Sequence, residues 1–478
     1  MTIRRYRQTK IVATLGPASA NADVIEQLFK TGVDVFRLNF SHGSHTDHQN
    51  SVTIIRNIEK KYNRAIGILA DLQGPKFRIG TFENDKIDLT IGQEFTFDSD
   101  KETPGDKSRV YLPHPDIIAT LNIDDVILLD DGKVKAQIIG KTDTALKSKI
   151  ITGQSLSNRK GFNIPGVVLP VPAMTDKDKT DMEAAINMGA DWIALSFVQR
   201  IDDIYQAKQQ LKGRASLMIK VEKPSAVENI DAMIDAADGV MVARGDLGVE
   251  IPPENVPAVQ KQITRKARRA GKPVIVATQM LESMIEHSRP TRAEASDVAT
   301  AVYDGADAVM LSAETAMGAY PVDAVAIMSR ICEQTERDPA HKMLMTMSSD
   351  TGQENSGMDT PSAITQAAVT VAGNINAAII VNYTSSGSTA LRTAKERPNI
   401  PILCLTQQTR VARSLSLSYG VRSLDIDEIH SFTETVEIAK ELVKDHGYAQ
   451  TGDNIVMTAG APFGVIGTTN MLRIIEID

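Results

Sequence analysis

Apolar residues in this chain come in short continuous runs that stop at charged or small polar residues, and a helical pattern follows nearly every one. Eight such runs stand out: KIVATLG (10–16), VDVFRLNFS (33–41), IGILADLQG (66–74), WIALSFVQ (192–199), LMIKVEK (217–223), GVMVARGD (239–246), PVIVATQ (273–279) and AVMLSAET (308–315). Strands buried on both faces read as near-continuous apolar runs. Eight strand–helix units therefore predict a (β/α)8 barrel, in which chemistry gathers at the carboxyl ends of the strands. Those ends hold Thr14, Arg37, Asn39, Asp71, Lys220, Glu222, Arg244, Asp246, Thr278, Ser312 and Glu314. Charged side chains are poorly tolerated in apolar strands unless paired or metal-bound. The strand tips thus predict the active site of an enzyme.

The eight runs are unevenly spaced. More than a hundred residues separate the third from the fourth, and they carry short β patterns: KFRIGTF, KIDLTIGQEFTFD, VILLDDGKVKAQIIG and ALKSKIITG. Asp131-Gly132 between apolar runs is a hairpin signal. These features predict a small all-β domain, a β-barrel at 75–171, inserted into the catalytic barrel formed by 1–74 and 172–340. It opens at Gly74-Pro75 and closes at PGVVLPVPA (165–173), connections suited to a hinge, and such a unit over the strand tips could act as a water-excluding lid. After a helix near 321–338, AHKMLMTMSSDTGQENSGMDTPS lacks periodicity and reads as a linker. Strand and helix patterns then alternate again to the end, predicting a doubly wound α/β domain over 341–478.

Composition narrows the function. A chain of 478 residues is too long for one core and is expected to form about three domains. A net charge of −8 argues against nucleic acid or an anionic membrane surface as partner. Cys332 and Cys404 lie far apart without metal-ligand spacing, as expected for reduced thiols in a cytoplasmic protein. MTIRRYRQTK is basic, but no apolar segment of signal type follows, and no apolar run approaches a membrane span.

Particular tips suggest particular chemistry. Lys220 and Glu222 lie two apart on one strand and point the same way, and Asp246 ends the next strand. Glu222 with Asp246 is a minimal carboxylate pair for Mg²⁺, and Lys220 beside it could neutralise a phosphoryl group or an enolate. An ion pair closing the barrel mouth explains the same residues equally well. Arg37 and Asn39 share a strand face, and arginine suits phosphate. His42, His45 and His48 read as a surface cluster at a helix start rather than a metal site. Gly245 and Gly248 around Asp246 let backbone N–H groups approach an anion, or form an ordinary turn. Thr278 and Ser312 could relay a proton or hold a carboxylate, although such hydroxyls are more often simply packed. The basic helix QKQITRKARRAGK (260–272) reads as solvated or subunit-facing. TSSGST (384–389) at a strand-to-helix junction is either a phosphate cradle or an N-cap and turn.

Taken together, TKIVATLGPAS, RLNFSHG, DLQGPK, MIKVEK, MVARGDLGVEIP, ATQMLESM, RPTRAEASDVATAV and GADAVMLSAETAMGAYP resemble the pyruvate kinase family along the whole chain. The resemblance implies transfer of the phosphoryl group of phosphoenolpyruvate to ADP, giving pyruvate and ATP. It implies Lys220 on the phosphoryl group and enolate, Glu222 and Asp246 on Mg²⁺ (or Mn²⁺), and Arg37 on the phosphate. Gly245, Asp246 and Thr278 would bind the substrate carboxylate, and Thr278 with Ser312 would relay a proton. Asn39, Phe40, Ser41, His42, Arg78 and Lys160 would face the nucleotide. The resemblance also implies a homotetramer and, at Thr384, Ser385, Ser386, Gly387, Ser388 and Thr389, a site for a phosphorylated effector.

The chain departs from the family pattern in places. Many relatives bind K⁺ through residues matching Asn39, Ser41, Asp71 and the carbonyl of residue 72, with threonine at 72 and glutamate at 76; here those are Leu72 and Lys76. An ammonium at 76 can supply the monovalent charge itself, so K⁺ is expected to be dispensable. Ile219 stands where a small residue is usual. TAGAPFGVIGTTN (458–470) has no tryptophan or arginine of the kind that grips fructose 1,6-bisphosphate, which points to a sugar monophosphate or AMP. The alternatives are a barrel lyase or aldolase acting on phosphoenolpyruvate or pyruvate, and a non-catalytic regulator.

Overall fold

The structure is a computed structural model that describes residues 3–350, 358–429, 431–461 and 467–478. Eight parallel strands close the barrel in chain order: β1 (Lys10–Thr14), β2 (Val35–Asn39), β3 (Gly67–Asp71), β4 (Trp192–Leu195), β5 (Ser216–Val221), β6 (Gly239–Ala243), β7 (Val274–Ala277) and β8 (Ala308–Leu311). Alternate residues point inward. Val12, Val35, Leu69, Trp192, Met218, Met241, Ile275, Ala308 and Met310 form the interior core. Their odd-numbered or even-numbered neighbours pack outward on the helices, as Ile11, Phe36, Ile68 and Ile219 do.

Between β3 and β4 lies a separate β-rich unit with its own hydrophobic core, running from Ile79 to Leu169. The predicted hairpin is present: Val126–Leu129 pairs antiparallel with Val134–Lys141. Positive φ at Asp130, Asp131 and Gly132 makes its turn. Two expectations need correction. The unit, β-rich with one short helix at Pro115–Thr120, is an open six-stranded sheet with a separate two-stranded pair rather than a closed barrel. KFRIGTF forms no regular strand: Phe77, Ile79 and Gly80 bond to residues 159–162, but Gly80 and Thr81 then turn to Tyr111 and Gly105, leaving only isolated bridges at Arg78 and Phe82. At the exit from the barrel, Gly74 has φ of +70°, and a Cβ there would lie 2.8 Å from Phe197 and 2.9 Å from Ser196. No other residue fits that turn unstrained.

The stretch expected to be a linker begins as a helix, Pro339–Asp350. His341 and Met345, four residues apart, are buried on one face, and the Met345 carbonyl accepts from Arg268 at 2.9 Å. Residues 351–357 of that stretch lie outside the described residues. Arg268 belongs to the basic helix, here Val256–Arg269, which packs on the barrel and buries Arg268 against the C-terminal unit.

The C-terminal unit is doubly wound. Its sheet runs β11 (Val421–Asp425), β10 (Ile402–Thr406), β9 (Ile379–Tyr383), β12 (Asn454–Gly460), β13 (Thr469–Glu476), the last antiparallel. It caps the amino ends of the barrel strands. Leu417 is fully buried in the barrel's interior core, the Trp192 indole donates to Ser414 at 3.1 Å, and the Lys10 ammonium donates to the Val421 carbonyl at 2.7 Å. Arg397 pairs with Asp307 at 2.8 Å, both buried. The carboxyl ends of the strands are left for the site. No described helix is long and apolar enough to cross a membrane.

If Leu417 plugs the barrel, Leu417→Ala leaves a cavity at the joint and should lower stability by about 2–5 kcal/mol. Leu417→Met should cost less than about 1.5 kcal/mol. Urea unfolding checks both, and equal small losses would remove the plug from the account.

Candidate active site

The inward positions that are apolar lower in the barrel turn polar at its mouth. Two residues beyond Val12, Val35, Leu69, Ala194, Met218 and Met310 stand Thr14, Arg37, Asp71, Ser196, Lys220 and Ser312. Strand register then sets them side by side: Thr14 is level with Arg37, Asn39 with Asp71, and Asp71 with Ala194.

Asp71 is the centre of the cluster. Its Oδ2 takes Arg37 through Nε at 2.7 Å and Nη2 at 2.7 Å, and its Oδ1 lies 3.3 Å from the Lys220 ammonium. Burial alone would raise its pKa, but Lys220 and Arg37 outweigh burial and hold it below the ordinary aspartate value. Arg37 also donates to Thr14 Oγ1 at 3.1 Å. Lys220 lies 2.8 Å from Glu222 Oε1 and donates to Ser196 Oγ at 2.8 Å. Burial would depress the Lys220 pKa, yet Asp71, Glu222 and Asp246 together raise it above the usual lysine range. Its charge is therefore secure at neutral pH.

Glu222 is 1% exposed at its side chain. Burial, then the charge of Asp246, push its pKa up, against the pull of Lys220. The Phe197 N–H donates to Glu222 Oε2 at 2.8 Å, while Oε1 faces the Lys220 ammonium at 2.8 Å. A buried carboxylate beside a second one, short of compensating charge, is what a hard divalent cation completes with water and substrate oxygens. Among the described residues no three His, Cys, Asp or Glu side chains converge as a metal cluster. Glu222 and Asp246 are thus the two carboxylates at the mouth that could hold such an ion.

Asp246 and Gly245 lie in the first turn of the helix Arg244–Glu250, whose leading N–H groups lack helical partners. The Gly245 N–H donates to Thr278 Oγ1 at 2.7 Å, and that hydroxyl donates to the Ala277 carbonyl at 2.6 Å. Thr278 holds φ of +67°, strained for a β-branched residue at a functional turn. Among the described residues the buried Ser312 Oγ has no hydrogen-bond partner. Two expected tip residues serve structure: Arg244 pairs with Asp297 at 2.6 Å, and Glu314 receives the N–H groups of Leu281 and Ser312.

The nucleotide candidates fall into two sets. Asn39, Phe40, Ser41 and His42 follow β2: Asn39 Oδ1 accepts from the Ser41 N–H at 3.2 Å, and the Phe40 carbonyl accepts from Lys177 at 2.9 Å. Arg78 and Lys160 are on the inserted unit, with Arg78 donating to the Arg159 carbonyl and Lys160 paired with Asp130 at 2.8 Å. No hydrogen bond or ion pair joins the sets among the described residues. The histidines do start a helix, but they are not all on the surface. His48 is buried, stacked on Phe40 at 4.4 Å, and His45 pairs with Asp181 at 2.7 Å.

The Leu72 carbonyl accepts from Ser196 Oγ at 2.8 Å. Lys76 is exposed at the rim of the crevice between barrel and inserted unit, which Asp246, Phe197 and Lys223 also line. Sequence reasoning missed Ser196 and Phe197, although Ser196 carries a signal, being two residues beyond inward-facing Ala194.

In the C-terminal unit, Thr384–Thr389 follows β9 where the strand order reverses, the usual ligand crevice of a doubly wound sheet. Thr384 Oγ1 accepts the Gly387 N–H at 3.1 Å, and Gly387 holds φ of +83°. Ser386 Oγ lies 3.1 Å from Ser388 Oγ and is exposed, whereas the Thr389 hydroxyl is buried 2.6 Å from that of Thr469. Residues 462–466 of the TAGAPFGVIGTTN segment lie outside the described residues.

Comparison with known proteins agrees with this geometry. A family profile described as "Pyruvate kinase, barrel domain" matches residues 6–325, and one described as "Pyruvate kinase, alpha/beta domain" matches residues 362–475. A pyruvate kinase of Methylorubrum extorquens is 49% identical over 473 residues, covering 99% of this chain and 98% of the relative. One from Geobacillus stearothermophilus is 40% identical, covering 98% of this chain and 80% of its own. A crystal structure of a pyruvate kinase from Cryptosporidium parvum superposes with a TM-score of 0.94 at 35% identity, over 99% of this chain and 97% of that one. A barrel lyase or aldolase is not favoured. The chain belongs to the pyruvate kinase family, phosphotransferases that act on phosphoenolpyruvate and ADP.

Proposed function

We propose that the residues at the barrel mouth carry the reaction in the following roles. The reading is carried by one observation: Lys220 is held between Asp71 and Glu222, at 3.3 and 2.8 Å, within the electrostatic reach of Asp246. Arg37 and Lys220 bind the phosphate of phosphoenolpyruvate, oriented by Asp71. The N–H groups opening the helix Arg244–Glu250, with Thr278, receive its carboxylate, and Thr278 turns its hydroxyl from Ala277 to do so. Glu222 and Asp246 hold Mg²⁺ or Mn²⁺, which when bound neutralises charge on the transferring group. A terminal oxygen of ADP forms the new P–O bond as the bond to the enol oxygen breaks. Lys220 stabilises the enolate left behind, and a proton reaches its carbon through Thr278 and Ser312. The unpartnered Ser312 hydroxyl supports that path. Such a transfer needs chiefly positioning and charge neutralisation.

On this reading 75–171 is the lid over the catalytic barrel of 1–74 and 172–340, and 341–478 is the effector and assembly domain. The separate cores support that division. Asn39, Phe40, Ser41, His42, Arg78 and Lys160 face the nucleotide. The monovalent position at Asn39, Ser41, Asp71 and Leu72 is served by Lys76, whose ammonium has no ion-pair partner among the described residues. The enzyme works in the cytoplasm as a homotetramer, activated by a sugar monophosphate or AMP on Thr384–Thr389.

Four outcomes are expected. Pyruvate should form from phosphoenolpyruvate and ADP with Mg²⁺ in a buffer free of K⁺ and NH₄⁺. A unit charge at roughly 6–10 Å and an effective dielectric near 20 is worth about 1.7–2.8 kcal/mol. Lys76→Met should therefore slow K⁺-free turnover about 10- to 100-fold, and a wild type needing added K⁺ would refute the Lys76 role. Asp71 has a folded-state pKa below its unfolded value, so its stabilising effect is complete above about pH 4 and fades as pH falls through the folded value. Asp71→Asn should cost about 3–5 kcal/mol at pH 7, as when one partner of a buried pair is lost. In urea unfolding, the gap should narrow near pH 3. Ser386→Ala should weaken activation by the effector; Thr389 is the poorer test because its hydroxyl is tied to Thr469. Unchanged activation would reject the site.

A further inference from the structure

Just outside the metal carboxylates lies a second set of buried polar groups that the reaction does not use. Lys223 directly follows Glu222, and Glu250 comes one helical turn after Asp246, on the same face of the same helix. The Lys223 ammonium donates to Glu250 Oε1 at 2.6 Å, with side chains 7% and 1% exposed. Asn163, from the strand Phe162–Asn163 of the inserted unit, donates to the same oxygen at 3.0 Å. The Lys223 ammonium also stands 6.0 Å from the centre of the Phe197 ring, and the Phe197 N–H holds Glu222. The hairpin tip approaches this helix too, since a Cβ placed on Gly132 would come within 3.9 Å of Val249.

We propose that Asn163, Glu250 and Lys223 form a latch that fixes the spacing of Glu222 and Asp246 and couples it to the position of the lid. The three are positioning residues. The pair Lys223–Glu250 ties the strand end bearing one metal carboxylate to the helix bearing the other. Asn163 adds the lid to that tie. Both donors converge on one oxygen while Glu250 Oε2 has no hydrogen-bond partner among the described residues, so neither bond can shift without disturbing the other. Outer partners of this kind orient the groups that hold a metal, and any coupling between lid and metal must act in both directions. The inference rests on the reading of Glu222 and Asp246 as the Mg²⁺ or Mn²⁺ pair.

Mn²⁺ titration followed by electron paramagnetic resonance, with no turnover, tests it on the full chain beside hydrogen exchange of the lid. Wild type should bind Mn²⁺, and Mn²⁺ should slow exchange at Phe162 and Asn163. Glu250→Gln and Lys223→Met should weaken Mn²⁺ about 10-fold, with Lys223→Arg retaining most of the affinity. Asn163→Ala, on the partly exposed lid, should fold normally, quicken lid exchange and abolish the protection that Mn²⁺ gives. It carries the test should Glu250→Gln not fold. Full Mn²⁺-dependent protection in Asn163→Ala, or wild-type Mn²⁺ affinity in folded Glu250→Gln, would overturn the latch alone. Wild-type affinity in Glu222→Gln would overturn the metal reading and the latch with it.

Discussion

Two cations share one buried carboxylate at the barrel mouth, and the site is organised around that constraint. Asp71 has its Oδ2 taken by Arg37 and its Oδ1 facing Lys220, and it is 1% exposed. Removing three charges from water is costly unless each is matched. Here the matching runs in a chain: Arg37 to Asp71, Asp71 to Lys220, Lys220 to Glu222. One positive and one negative end remain, the guanidinium and the Glu222–Asp246 pair. An anionic phosphate and a divalent cation would be the complementary charges, which is why the proposed roles fall on these residues.

The opposite end of the barrel is closed by different means. Leu417 enters the interior core from the C-terminal unit, and Trp192, Lys10 and Asp307 fix strand starts to it. Apolar filling below and ionic matching above divide each strand within a few residues. Lys220 and Met218 are two positions apart, yet one joins the charges of the mouth and the other the apolar core with Leu417. Strand geometry permits this, because the inward face continues unbroken from the apolar layer to the tip.

The barrel was legible because its strands are buried on both faces and end at charges, and the C-terminal unit because its runs alternate with helices. The hairpin at Asp131-Gly132 was legible for its turn chemistry. KFRIGTF was misread because apolar alternation does not say whether a segment follows one neighbour or crosses several. The helix Pro339–Asp350 was hidden because only His341 and Met345 mark its buried face among the residues that precede the polar stretch. At the site, Arg37, Lys220, Glu222 and Asp246 announced themselves as charges in apolar context. Ser196 did not, being a small hydroxyl whose inward position becomes evident only once Ala194 is placed in the barrel interior.

By itself, the sequence determined which residues stand at strand tips and what charge they carry, since period-two patterning and abrupt polar endings are local properties. Only the tertiary structure decided which tips meet. Asp71 and Lys220 are separated in the chain by the inserted unit and β4, and only the pairing of β4 with both β3 and β5 brings them within 3.3 Å. The joining of Asn163 to Glu250 is likewise a matter of where the inserted unit folds back. Hydrogen bonds and ion pairs act over a few ångströms of space, and no local pattern encodes a distance between residues so far apart along the chain.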